Sequence, residues 1–151
     1  MNILISACLL GVNCRYDGGG KLIDEIDKLK NKCNLIPVCP EIYGGLETPR
    51  IPAELINGRV INRKGKDVTE NFIRGARETL HLAKLFNCKY ALLKERSPSC
   101  GYGEIYDGSF SGKLVKGNGI TADLLVSEGI KVFGESEISN LLLRISKDKE
   151  I

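Results

Sequence analysis

Apolar positions along this chain fall into two patterns. Short, nearly continuous runs predict buried strands, and stretches in which apolar residues recur every three or four positions predict amphipathic helices. Residues 2–7 form the first run and end in a glycine-rich stretch over 11–20, after which Leu22, Ile26 and Leu29 predict a helix over 21–31. A second run at 34–38 closes on Cys39-Pro40 and leads into Gly- and Pro-rich sequence from Gly44 to Pro52. The stretch 57–66, with Val60 and Ile61 between Gly58 and Gly65, suits a small hairpin. Asp67-Val68-Thr69-Glu70 then opens the most regular helical segment, 67–87, in the manner of a capping box, with Phe72, Ala76, Leu80 and Ala83 on one face. A third run at 90–93 enters Arg96-Ser97-Pro98-Ser99-Cys100-Gly101, where Pro and Gly forbid regular structure. Beyond a Gly-rich connection over 101–119, the pattern predicts a helix at 120–128, a strand at 130–133 and a last helix at 135–147.

Strand and helix therefore alternate, and alternation with short apolar strands predicts a mostly parallel sheet flanked by helices, in one domain over 1–151. Composition narrows the class. Of 151 residues, 42% are hydrophobic, 27% charged and only 5 are Pro, which excludes a disordered chain and a mini-protein that needs disulfide staples. Lys and Arg exceed Asp and Glu by 22 to 19 with no long block of like charge, so a surface dedicated to coating nucleic acid is not indicated. No apolar run approaches the roughly 18 residues of a membrane span, and the first residues lack the basic opening of an export signal. A soluble cytoplasmic protein is expected.

Six cysteines, beside a single histidine, are the anomaly. In an open α/β sheet, ligands bind beyond the carboxyl ends of the strands, where the strand-to-helix loops converge. Cys8 follows the first predicted strand, Cys39 the second, and Cys100 lies a few residues past the third. Cys33 and Cys88, at predicted helix ends, read as small buried hydrophobes, while Cys14 lies in the first loop. A disulfide framework does not suit a cytoplasmic chain of this size. A structural zinc site would need paired C-x₂-C spacing or a fourth ligand, and His81 sits inside a helix. An iron–sulfur cluster asks less of local spacing, because its thiolates can come from distant loops, and three cysteines on four irons leave one iron open.

Neighbouring residues suit catalysis. Glu41, two residues after Cys39, would enter the same crevice as a base or acid, although alone it reads equally as a solvated loop carboxylate. Ser97 and Ser99 could orient a water, although each taken singly better suits a local side-chain-to-backbone turn. Arg15, Asp17, Arg50 and Asp107 suit either loop-shaping ion pairs or substrate binding.

Taken together, the strings Ser6-Ala7-Cys8-Leu9-Leu10-Gly11, Arg15-Tyr16-Asp17-Gly18, Val38-Cys39-Pro40-Glu41 with Gly44-Gly45-Leu46 and Thr48-Pro49-Arg50, Ser97-Pro98-Ser99-Cys100-Gly101 and Tyr106-Asp107-Gly108 resemble the thiouracil desulfidase (TudS) family, in the same order over about residues 1–133. The resemblance implies a compact Rossmann-like three-layer α/β fold. It also implies a 4Fe-4S cluster with three cysteine ligands, Cys8, Cys39 and Cys100, one open iron, and a catalytic pair Glu41 and Ser97. The implied activity is removal of sulfur from thiolated uracil bases or nucleosides without net redox change, on a small thiolated pyrimidine substrate. Cys14 stands outside the implied trio, although its proximity to Cys8 leaves it open as an alternative ligand. Members fused to a second domain act on thiolated transfer RNA; this chain lacks such an extension, which speaks against direct tRNA binding. The oligomeric state is not legible.

Two other readings compete. A cysteine phosphatase or arsenate reductase needs C-x₅-R, so that thiolate, backbone N–H groups and guanidinium surround one oxyanion, but six residues separate Cys8 from Arg15. A non-catalytic metal- or sulfide-binding module is the other.

Overall fold

A computed structural model describes residues 1–150. Four strands, β1 (Asn2–Ser6), β2 (Asn34–Val38), β5 (Tyr90–Leu93) and β8 (Lys131–Gly134), form a parallel sheet in the order β2-β1-β5-β8. Between them lie the helices α1 (Ile26–Lys30), α2 (Pro40–Tyr43), α3 (Thr69–Leu85) and α4 (Ile120–Ser127), and α5 (Ile138–Lys149) ends the fold. Two antiparallel hairpins, β3 (Ala53–Ile56) with β4 (Arg59–Asn62) and β6 (Glu104–Tyr106) with β7 (Leu114–Lys116), stand apart from the sheet.

Period-two alternation divides the core. Ile3, Ile5 and Leu92 pack with Leu29 of α1 and Leu141 and Ile145 of α5, whereas Leu4, Ala91 and Leu93 pack with Ala83 of α3 and Ala122 and Leu125 of α4. The expected three-layer α/β fold is therefore the observed one. From β1 the chain steps outward to β2, then crosses to the other side of β1 for β5 and β8. The switch point at which strand order reverses is thus between β1 and β5, where an open parallel sheet offers a crevice at its carboxyl ends.

Local departures from the sequence pattern have identifiable causes. The helix expected over 21–31 is confined to α1, because the N–H groups of Lys21 and Ile23 donate to the carbonyls of Cys8 and Leu9 and tie that segment to the 3₁₀ turn Ala7–Leu10. The hairpin expected over 57–66 begins at Ala53, since Asn57 (φ 49) and Gly58 (φ 77) are themselves the two-residue turn, both left-handed as a type I′ turn requires. The Gly-rich connection over 101–119 contains the hairpin β6–β7. The capping box expected at Asp67 does not form: α3 begins at Thr69 with Val68 as its cap and no side-chain cap bond, because Asp67 Oδ1 instead accepts the N–H of Thr69 at 2.9 Å in a local turn.

Candidate functional site

Three strand ends supply the chemistry. Cys8 lies in the 3₁₀ turn after β1, Cys39 is the residue that caps α2 directly after β2, and Cys100 follows the Ser97–Ser99 turn after β5. All three line one cavity of about 370 Å³ together with Cys14, Glu41 and Ser97. Arg15 and Arg50 line it as well, whereas Asp17, Ser99 and Asp107, the other candidates from the sequence, do not. Cys14, left open as an alternative ligand, lines the cavity too, and its backbone carbonyl lies 3.8 Å from the Cys39 thiol. Cys33 and Cys88 are buried in the two cores, and His81 is exposed on α3, as the bland readings expected.

Glu41 is held from both sides. Arg50 Nε lies 3.4 Å from Glu41 Oε1 in an ion pair whose side chains are only 8% and 18% exposed. The same guanidinium donates to the carbonyls of Cys14 at 2.9 Å and Glu47 at 3.0 Å and to Thr48 Oγ1 at 3.1 Å, so it is immobilised before it meets the carboxylate. On the other side Ser99 donates to Glu41 Oε2 at 3.2 Å. Ser97 Oγ sits 2.9 Å from Ser99 Oγ and accepts the N–H groups of Ser99 and Cys100, both at 3.1 Å. With Ser99 donating to Glu41, Ser97 must donate to Ser99, and a directed chain Ser97 to Ser99 to Glu41 results. The catalytic pair implied by resemblance is therefore linked through Ser99, a residue 1% exposed. The local-turn reading of Ser97 holds as well, since the same oxygen closes the turn before Cys100. Arg50 and Ser99 were visible in the sequence as chemistry-bearing types, but no spacing rule joins them to Glu41.

Backbone packing fixes these loops. The first N–H groups of α4 donate back into the Cys100 loop, Ile120 to Pro98 O at 2.9 Å and Thr121 to Ser99 O at 2.9 Å. A Cβ on Gly119 would lie 2.5 Å from the Ser99 carbonyl carbon, so glycine permits that approach. On the other wall α2, which carries Glu41, lies against α3 backbone to backbone: a Cβ on Gly75 would come within 1.8 Å of Pro40 O.

Burial disfavours the thiolate at Cys8, Cys14 and Cys100. Burial pushes Cys8 up to about 11, with Lys94 opposing and Cys39 adding to the shift, and burial together with the neighbouring Cys39 pushes Cys14 up to about 12. Burial also raises Cys100, against hydrogen bonds with Ser6 and Ser99. A phosphatase-type nucleophile needs its thiol lowered, so the shift at Cys8 opposes that reading. The donor set instead suits a soft metal, which displaces thiol protons on binding. Among the described residues no three His, Cys, Asp or Glu side chains are grouped for a single metal ion. Thiols from three separate loops line one cavity, and thiolates from distant loops are a donor set whose chemistry suits an iron–sulfur cluster.

Comparison with known proteins agrees. A family model described as 2-thiouracil desulfurase matches residues 3–137. The chain belongs to the 2-thiouracil desulfurase family. Within reach of it are the uncharacterized protein YbbK of Bacillus subtilis (strain 168), 43% identical over 150 residues that span 93% of this chain and 99% of that protein. A solved structure of the 4Fe-4S-dependent thiouracil desulfidase TudS superposes with a TM-score of 0.92 at 46% sequence identity, covering 96% of this chain and 97% of that one. The family and the solved neighbour both favour a desulfidase over the phosphatase and sulfide-binding readings.

Proposed function

We propose that this member of the desulfurase family hydrolyses the carbon–sulfur bond of small thiolated pyrimidines, releasing sulfide, with a 4Fe-4S cluster held by Cys8, Cys39 and Cys100. The observation that carries the reading is the meeting of those three thiols with Glu41 and Ser97 in one cavity at the strand ends. When bound, such a cluster supplies a soft Lewis-acid position, an iron without a protein thiolate, suited to thiocarbonyl sulfur.

The chain's own residues handle water and protons. Glu41, oriented by Arg50 and Ser99, takes a proton from the water that attacks the thiocarbonyl carbon. Ser97 lines the cavity and can pass its hydroxyl proton toward Glu41 through Ser99, so protons move between the reacting atoms and the carboxylate without bulk water. Collapse of the addition product returns a proton to the departing sulfur, and the balance is thiocarbonyl plus water giving carbonyl plus hydrogen sulfide. Lys94, paired with Glu135 at 2.7 Å, adds positive charge beside Cys8 and favours the anionic sulfur ligands there.

The test is anaerobic reconstitution with iron and sulfide, then iron counting and assay on 2-thiouracil and 4-thiouridine. About four irons per chain are expected, with iron lost in each of Cys8→Ser, Cys39→Ser and Cys100→Ser. Full iron retention in any of the three would contradict the ligand set.

A further inference from the structure

Glu54, on β3, directs its carboxylate into the turn of the other hairpin. Its Oε1 accepts the N–H of Gly108 and the N–H of Phe110, each at 3.0 Å. Two backbone donors on one carboxylate oxygen make a charge-assisted clamp between hairpins that share no strand pairing. The turn also rests directly on β3, where a Cβ on Gly108 (φ 95) would stand 2.8 Å from Ile56 Cβ. Within the turn, Asp107 Oδ1 accepts the N–H of Ser109 at 2.9 Å and its hydroxyl at 2.5 Å. Asp107 thus shapes the loop rather than facing the cavity.

What the clamp holds is Phe110. Its φ of 55 is left-handed, a conformation that a bulky side chain adopts only when its surroundings impose it. The residue is half-buried in the wall of the cavity that holds the thiols and Glu41, and the Arg63 guanidinium lies 5.4 Å from its ring centroid.

The geometry points to Phe110 as the wall against which the substrate's pyrimidine ring lies, with Glu54 as the residue that positions it. This inference rests on the desulfidase reading and supplies its means of recognising the ring. A small planar base offers a binding site little beyond its π-faces and a few edge groups, and an aromatic side chain engages the face at low entropic cost if it is already immobilised. Clamp, glycine contact and guanidinium together immobilise this one. The hairpin supplies the ring wall, and the strand ends supply the reacting groups.

The test compares the reconstituted wild type with Glu54→Ala, Glu54→Gln, Phe110→Ala and Phe110→Tyr. The readouts are NMR hydrogen exchange at the Gly108 and Phe110 amides, equilibrium binding of uracil, and kinetics on 2-thiouracil. In Glu54→Ala both amides exchange at least about tenfold faster, with Glu54→Gln between it and the wild type. Phe110→Ala binds uracil roughly tenfold more weakly, whereas Phe110→Tyr stays within about twofold. The Glu54 variants raise KM several-fold while kcat stays within about twofold, a split that a general loss of folding would not produce. Unchanged exchange in Glu54→Ala, or unchanged uracil affinity in folded Phe110→Ala, overturns the inference. Uracil bound through Phe110 without sulfide release from 2-thiouracil would contradict the desulfidase reading and leave the ring wall standing.

Discussion

Ser99 donates its hydroxyl to Glu41 Oε2 across 3.2 Å, joining the loop after β5 to the helix after β2. Neither residue reaches the other through local structure, since 58 positions separate them. Their contact exists because α4 holds the first loop from behind and α3 holds the second.

Removing either end of that contact separates binding from chemistry. Glu41→Gln keeps the size but not the base, so iron content is expected to survive while turnover falls by roughly 10²-fold or more. Ser99→Ala leaves Glu41 its Arg50 partner and is expected to cost less, about tenfold in turnover at equal iron content. Equal turnover in both variants and the wild type would remove the acid–base role from Glu41.

Cys14 separates a ligand from a bystander. It lines the same cavity as the trio and lies beside Cys39, yet it belongs to the loop rather than to a strand end. Iron counting on reconstituted Cys14→Ser is expected to match the wild type. Loss of iron there, with retention in Cys8→Ser, would move the ligand from Cys8 to Cys14.

Gly75→Ala tests how α2 is placed. Helix propensity alone would favour alanine by about 1 kcal/mol. The new Cβ would meet Pro40 O at 1.8 Å, however, and relief requires the two helices to part. Overpacking of this kind costs about 1–3 kcal/mol, so a net loss of stability and a lowered thermal midpoint are expected. Because α2 carries Glu41, turnover should fall further than the loss of folded protein explains. A raised midpoint would show that the helices separate freely.

How much of this was legible before the structure follows the same division between local and tertiary causes. Cys8, Cys39 and Cys100 could be grouped because each follows an apolar run, and strand ends in an α/β sheet share one edge. The strands follow from short apolar runs that alternate with helical segments, and α3 from its helical period. The clamp on Glu41 was hidden, since the sequence shows Ser97 and Ser99 as equivalents on either side of Pro98 and only the folded turn points one at the carboxylate. Gly75 reads as a blemish in a helix until Pro40 O is found against it. The hairpin β6–β7 was lost among glycines that, in the fold, are its turns and flanks: Gly103, Gly108 and Gly112 all have positive φ.

Acid stability carries a signature at the start of α3. The Thr69 hydroxyl, then its N–H, and Arg59 hold the Asp67 carboxyl below the usual carboxylate range. A carboxyl lowered on folding contributes stability that is complete above its unfolded pKa and is lost as pH falls through the folded value. Urea midpoints should therefore decline as the pH drops below about 4, less steeply in Asp67→Asn. Parallel declines in both proteins would assign the acid sensitivity elsewhere.

The most direct measurement of the central claim is the product balance of anaerobically reconstituted protein acting on 2-thiouracil, with neither electron donor nor acceptor added. The account predicts one uracil and one sulfide for each 2-thiouracil consumed, at a rate proportional to bound iron. Equal rates from iron-free protein, or desulfuration that proceeds only with an added electron donor, would contradict it.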